Sequence, residues 1–183
     1  MAFYTVYESA LVGRLTLTSD GEALTGCWFE RGRFVGRGVA EGCVKKDDLA
    51  VFAEARRWLD RYFAGEKPQP DELPLRPVGS EFRQAVWDEL RRIPYGHTVT
   101  YGQIARAVEA RTGRRACAQA VGGAVGHNPL GIIVPCHRVV GAGGALTGFA
   151  GGLDVKAALL GLEGMEVETD GQKPTRVARV NNS

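Results

Sequence analysis

What this chain lacks narrows it first. It holds no run of about 18 consecutive apolar residues, so no membrane span is expected. Met1 to Ser9 carries no cationic start ahead of an apolar core, so no signal peptide is expected and the cytoplasm is the default location. Histidine is scarce, three in 183 residues, and the four cysteines at 27, 43, 117 and 136 form no Cys-x-x-Cys pair. No second His stands at ligand spacing from Cys136, so neither a zinc site nor any other metal is expected. Isolated thiols suit a reducing compartment. Net charge is only +2, and a composition that is 44% hydrophobic and 24% charged is ordinary for a globular chain. The length allows one domain of typical size with a smaller one beside it, or one larger domain.

The small net charge is unevenly placed. Residues 1–79 hold 11 Lys/Arg and 12 Asp/Glu, a balance of −1. Residues 91–138 hold 7 Arg and a single acid, Glu109, a balance of +6. A basic segment of this kind is an electrostatic footprint for a polyanion, with an ordinary solvated face as the plainer alternative.

The first part of the chain reads as α/β. Residues 3–7, 13–18 and 24–29 are β-branched, aromatic or alternating, with a turn at Ser19-Asp20-Gly21-Glu22. Arg31 to Lys46 is Gly-rich and reads as a loop or a weak edge strand. Asp47 and Asp48 are candidate caps for a helix running to about Ala64, closed by Gly65. Cys27 and Cys43 read as structural. Prolines 68, 70, 74 and 77 mark a linker over residues 66–77. The expected domains are therefore 1–77, 78–169 and a polar, disordered tail over 170–183.

The second part reads as mainly helical. Ser80 caps a helix whose apolar face is Phe82, Val86, Trp87 and Leu90, ended by Pro94 and the turn Pro94-Tyr95-Gly96-His97. Tyr101, Ile104, Ala105 and Val108 give a second helical stripe. After Arg111-Thr112-Gly113, residues 114–126 read as a short helix of small residues with Arg114 and Arg115 at its start. Two short helices about a Gly-containing turn fit a helix-turn-helix. The second helix has almost no long polar side chain; Gln119 is its main reach. Such a helix reads few base edges, yet its backbone can come very close to a groove. Six glycines lie between Gly141 and Gly152, interrupted by Leu146 and Phe149, which suits a pocket wall. Leu153 to Leu162 is a closing helix.

The candidate chemistry centres on residues 128–140. An apolar run, Leu130 to Val134, carries Cys136 out of the interior, with His137 beside it and Arg138 next. Neighbouring cations lower a thiol's pKa, and the thiolate is the nucleophile. A buried structural Cys beside a satisfied His is the competing reading of that pair alone. The surrounding motifs decide. Pro135-Cys136-His137-Arg138-Val139, Asn128-Pro129, Tyr101-Gly102-Gln103-Ile104-Ala105, Ala120-Val121-Gly122, Leu146 through Leu153, and Lys156 through Leu160 to Glu163 stand in one register. Together they resemble the O6-alkylguanine-DNA alkyltransferases, over roughly residues 78–165, with a weaker match N-terminally.

The resemblance implies an α+β fold: a small α/β N-terminal domain with a three-stranded antiparallel sheet, then a mainly helical domain with a helix-turn-helix docked in the minor groove. It implies stoichiometric DNA repair. Cys136 attacks the O6-alkyl group of guanine (and of O4-alkylthymine) and keeps it irreversibly, with no cofactor. His137 would take the thiol proton through a water, oriented by Glu163. Tyr101 would protonate the leaving base at N3. Asn128 would tie the recognition helix to the cysteine segment. Val125 and Phe149 would pack on the base; the carbonyls of Cys136 and Val139 and the N–H of Ala150 would grip its edge. Gln119, Arg114, Arg115, Ala120, Gly122, Gly123 and Arg138 would face double-stranded DNA, from which the base must be extruded. The family fills the vacated stack with arginine; this chain has Gln119 there. The expected protein is a monomer, nucleoid-associated when bound, with cooperativity on DNA left open. The alternatives are a lesion-flagging sensor, whose relatives lack the nucleophile, and a Cys-His hydrolase, which would need oxyanion donors at Cys136.

Overall fold

A computed structural model of the chain describes residues 1–31 and 42–178. It divides into two compact units: Met1–Val78 with Pro129–Ile133, and Gly79–Asn128 with Val134–Ser183.

In the first unit, β1 (Phe3–Ser9), β2 (Gly13–Ser19) and β3 (Leu24–Phe29) form an antiparallel meander. A two-residue strand, β4 (Val44–Lys45), adds to β1 in parallel, giving the order β3-β2-β1-β4. The rest of the Arg31–Lys46 expectation falls largely outside the described residues. Leu15, Leu17, Leu24 and Cys27 point inward from the strands, and α1 (Ala50–Phe63) buries Val51, Phe52, Ala55, Trp58, Leu59 and Tyr62. The expected aspartate caps are not used. Leu49 holds the N-cap position without a side-chain bond. Asp47 instead accepts from the hydroxyl of fully buried Thr5 and pairs with Arg56, because a buried hydroxyl needs a partner more than an exposed helix end does.

The proline-rich stretch is folded onto this unit. Pro70 opens a single 3-10 turn, Pro70–Glu72, a first-turn position where its missing N–H costs nothing. Beyond it, Leu24 N–H donates to Pro74 O (2.8 Å) and Arg76 N–H to Leu24 O (2.7 Å), so the chain runs along the end of β3. Residues 129–133 also bond to β3, with Cys27 N–H donating to Pro129 O and Gly131 N–H to Cys27 O. A side chain at Gly131 would collide with Phe29 at 2.8 Å, so glycine is required there. The next residue, fully buried Ile132, has φ 70°. A β-branched residue in the left-handed region is strained by about 1–3 kcal/mol.

In the second unit, α2 (Glu81–Arg91) starts at Ser80, whose hydroxyl accepts from Arg83 N–H. A short strand, β5 (Val99–Thr100), leads straight into α3 (Tyr101–Thr112), which begins on a capping box: Thr100 Oγ1 accepts from Gln103 N–H, and Gln103 Oε1 accepts from Thr100 N–H. Gly113 ends α3 in the left-handed conformation, φ 68°. The second helix, α4, covers only Ala118–Gly126. Arg114 and Arg115 therefore lie in the connecting segment, not at the helix start, because Cys117 is the last extended residue. Helix α2 is locked to this pair: Trp87 Nε1 donates to Ala124 O (2.9 Å), and Arg111 pairs with Asp88 and Glu89.

The strand β6 (Val139–Val140) pairs in parallel with β5, setting Val99 against Val139 and Thr100 against Val140. This pairing brings the start of α3 to the cysteine segment. Helix α5 spans Leu153–Leu162, and β7 (Val167–Asp170) and β8 (Lys173–Val177) form an antiparallel hairpin. The disordered tail expected from residue 170 is thus corrected as far as residue 178; residues 179–183 lie outside the described residues. Val177 is 2% exposed and packs with Val140, Leu146 and Leu160, while Leu146 N–H donates to Thr175 O. That apolar anchor is why the segment folds.

Candidate active site

The site is built on the end of α4, the cysteine segment, the start of α3 and the end of α5, all in the second unit. Cys136 opens a three-residue 3-10 turn, Cys136–Arg138, that feeds β6. It is 5% exposed, so the apolar run does not carry it to the surface as expected; the hydrophobic residues keep it under cover. Asn128 follows α4 directly, with its N–H on Val125 O. Its side-chain Nδ2 donates to Val134 O (2.8 Å), and its side chain also hydrogen-bonds the Cys136 thiol. One amide thus joins the helix end, the segment before the cysteine and the thiol itself. Burial pushes the Cys136 thiol up; the Asn128 hydrogen bond and the charge of Lys156 oppose that rise.

His137 is completely buried, and its Nε2 lies 2.7 Å from Glu163 Oε1. Helix α5 delivers this carboxylate, since Glu163 is its C-terminal cap residue. Glu163 also accepts from Arg138 Nε (2.9 Å to Oε2) and Nη2 (2.9 Å to Oε1), and from Gly96 N–H (3.0 Å). Burial alone would raise its pKa, but the bonds from His137 and Arg138 win and hold the carboxyl well below the usual range. Burial drives His137 below its ordinary value against the pull of Glu163. A neutral imidazole beside an ionised carboxylate must place its proton on Nε2, since a carboxylate only accepts. Nδ1 is then the basic nitrogen.

Arg138 was expected on the DNA face. It is instead 6% exposed, bound to Glu163 and to Ile93 O (2.6 Å), and set against the Tyr95 ring. A buried carboxylate needs a buried cation more than the surface needs another arginine. Arg111 is likewise held on buried Glu89, whereas the pairs Arg92–Glu89 and Arg114–Glu81 leave their arginines largely exposed. Two arginines of the basic segment, Arg138 and Arg111, are thus committed to buried carboxylates.

Tyr101, the first residue of α3, is partly buried, and a methyl on Gly122 of α4 would lie 3.8 Å from its ring. The β5–β6 pairing, which sets Thr100 against Val140, brings Tyr101 to the cysteine segment. Gln119, Ala120 and Gly123 are exposed on α4, Gly122 is half-buried, and Arg115 is exposed just before the helix. Of the expected base-packing residues, Val125 and Val139 are buried while Phe149 and Ala150 are half-buried. The Val139 carbonyl, expected to hold the base, already accepts from Lys156 Nζ at 2.6 Å, which leaves its second lone pair.

Three contributors were not foreseen. Lys156 is fully buried, donates to Val139 O and Thr147 O (3.1 Å), and has its pKa lowered to about 8 by burial. The signal was a lysine within the apolar stripe of α5. The turn Pro94–His97 cradles Glu163 through Gly96 N–H, and Tyr95 Oη donates to Leu162 O. Thr147 meets the Tyr101 hydroxyl at 3.2 Å.

Comparison with known proteins follows the same lines. Residues 81–165 match the family described as 6-O-methylguanine DNA methyltransferase, DNA binding domain, and residues 2–77 match its ribonuclease-like domain. A Haemophilus influenzae methylated-DNA–protein-cysteine methyltransferase is 42% identical over 174 residues, 95% of this chain and 93% of that protein. One from Methanosarcina acetivorans is 44% identical over 88% of this chain and 98% of its own length. The crystal structure of Mycobacterium tuberculosis OGT in complex with DNA superimposes with a TM-score of 0.76 at 42% identity, covering 88% of this chain and 92% of that one.

Proposed function

This chain belongs to the 6-O-methylguanine DNA methyltransferase family, and on that premise we propose that Cys136 accepts the alkyl group of O6-alkylguanine in double-stranded DNA. The activity is DNA repair by alkyl transfer to a protein cysteine. The sulfur–carbon bond forms as the carbon–O6 bond breaks, and the electron pair returns to the guanine ring. A thioether is inert to water at neutral pH, so each molecule acts once. O4-alkylthymine offers the same exocyclic alkyl ether and is a second substrate on this reading.

His137 Nδ1 receives the thiol proton through a water, while Glu163 fixes the imidazole tautomer and stabilises the imidazolium that forms. Tyr101 supplies a proton to N3 of the departing base. Asn128 ties the thiol to the end of α4, whose exposed small-residue face supports close approach to a groove. Phe149 and Ala150 stand at the pocket wall. The chain acts as a monomer in the cytoplasm, with residues 81–165 forming the DNA-binding and transfer domain.

The observation that carries this reading is the thiol held by Asn128 within one cluster with the His137–Glu163 pair. The test is intact-protein mass after mixing with a duplex bearing O6-methylguanine, followed by peptide mapping. One added methyl per protein, confined to the Cys136 peptide, is expected. Lesion binding with no mass change would favour a sensor instead. That reading is otherwise disfavoured because the nucleophile and its supporting residues are all present.

A further inference from the structure

The hydroxyl of Thr147 lies 3.2 Å from that of Tyr101, and this contact assigns Thr147 a task. Each hydroxyl can donate once and accept twice. If Tyr101 donated to Thr147, its proton would point away from any base. If Thr147 donates, the Tyr101 O–H is turned outward, free for a ligand. We propose that Thr147 is a positioning residue: it donates to Tyr101 Oη, aims the phenol proton at the departing base, and holds the phenolate as that proton leaves. The inference rests on the reading of Tyr101 as the proton donor.

Both partners are held from behind. Tyr101 is fixed at the first position of α3 by the Thr100–Gln103 capping box. Thr147 is exposed, but its carbonyl accepts from Lys156 Nζ, and that same ammonium bonds Val139 O, three residues beyond the nucleophile. One buried cation therefore sets the distance between the sulfur side and the proton-donor side of the site. The glycine-rich loop needs this restraint, because Gly143, Gly144 and Gly152 all have positive φ and leave its path otherwise loosely defined. The electron count supports the assignment. As the carbon–O6 bond breaks, negative charge moves into guanine; protonation at N3 moves it to Tyr101, where a hydrogen bond to an anion is worth more than one to a neutral phenol. The interaction is thus stronger in the transition state than before it, which is what raises a rate constant.

The experiment is a double-mutant cycle read by single-turnover methyl transfer at saturating duplex, with Kd for the duplex measured separately. Thr147→Val keeps the shape and the backbone carbonyl but removes the donor. It should slow transfer by about five- to tenfold, with Kd and thermal midpoint unchanged. Thr147→Ser should restore most of the rate. In a Tyr101→Phe background, Thr147→Val should have no further effect. An unchanged rate in Thr147→Val, beside a slowed Tyr101→Phe, overturns this inference alone. An equal loss in both backgrounds also overturns it, since Thr147 would then act without Tyr101. An unchanged rate in Tyr101→Phe overturns the donor reading, and the role of Thr147 falls with it.

Discussion

The buried end of the second unit and the exposed face of α4 are built on opposite principles. Around Glu163, one guanidinium, an imidazole and a backbone N–H converge on one carboxylate, and Lys156 is sealed a short way along the same helix. On α4, the outward positions are Gln119, Ala120, Gly123 and Gly126, which offer one hydrogen-bonding side chain and much bare backbone. The first region fixes atoms in place at a cost in desolvation; the second fixes almost nothing and admits a surface of any sequence. Chemistry at a carbon centre needs geometry held within a fraction of an ångström, whereas scanning DNA needs tolerance. The arginines follow the same division: Arg138, which the sequence suggests for the groove, is used to hold the carboxylate.

The sharpest break on the chemical side is Cys136→Ser. It should abolish methyl transfer completely in the mass assay while leaving DNA binding measurable, because α4 is untouched. Next is Glu163→Gln. It leaves Arg138 buried against a neutral amide, and breaking a buried pair costs about 3–5 kcal/mol. A large fall in urea midpoint and a transfer rate lowered by about 100-fold are expected, the latter because general-base catalysis contributes roughly 10²–10⁴. The pH dependence has a definite sign. The folded pKa of Glu163 is depressed, so its stabilisation is complete above the unfolded carboxylate range, about pH 5 and higher, and is lost as pH falls toward the folded value. Glu163→Gln should therefore have a shallower acid limb in a stability-versus-pH series. An acid limb as steep as that of the parent would mean other carboxylates dominate.

A smaller effect is expected at Lys156. Its folded pKa of about 8 lies below that of a free lysine, so the unfolded chain binds more protons between about pH 8 and 10.4. The parent protein should gain stability from this residue as pH rises through that window, with the burial penalty fully present below it. Lys156→Met removes the limb and leaves two carbonyls without their donor. Transfer should slow by about tenfold, the scale of one or two lost charged hydrogen bonds, as read by single-turnover kinetics. A rate equal to the parent's would show that the ammonium is not needed to hold the loop.

Much of this was readable in the chain. Strand and helix periodicity located β1–β3, α2 and α5, and the ordered motifs from Tyr101 to Glu163 named the residues that meet at the site. Three things were not readable. Pairing between distant charges is set by packing, so nothing in the local sequence says that Arg138 turns inward while Arg115 stays outside. Caps depend on competing partners: Asp47 was chemically suited to α1, but Thr5 and Arg56 claimed it. The tail looked polar because its apolar contribution is one residue in several, yet Asp170-Gly171 is a hairpin-turn signal, and Val177 supplies the anchor. The Thr147–Tyr101 contact joins residues 46 apart and could not have been found from spacing.

The mildest perturbation tests the exposed side of the comparison. Gln119 is the long polar side chain on the exposed face of α4, and it brings no cation to a phosphate and less flat area for stacking than an arginine would. Because Arg138 and Arg111 are committed to buried carboxylates, fewer charges remain to release counterions than the sequence balance implies. Gln119→Arg should tighten duplex binding modestly and steepen the log Kd against log salt slope by about one charge, close to 0.9. Transfer at saturating DNA should change less than binding, since Gln119 is exposed on α4 while Cys136 and Glu163 are buried. A slope that stays the same would mean that position 119 does not meet the phosphate field at all. The small-residue face would then be approached by DNA from a different direction. A transfer rate that rises tenfold or more would mean extrusion of the base, and not the chemistry at sulfur, limits the parent protein.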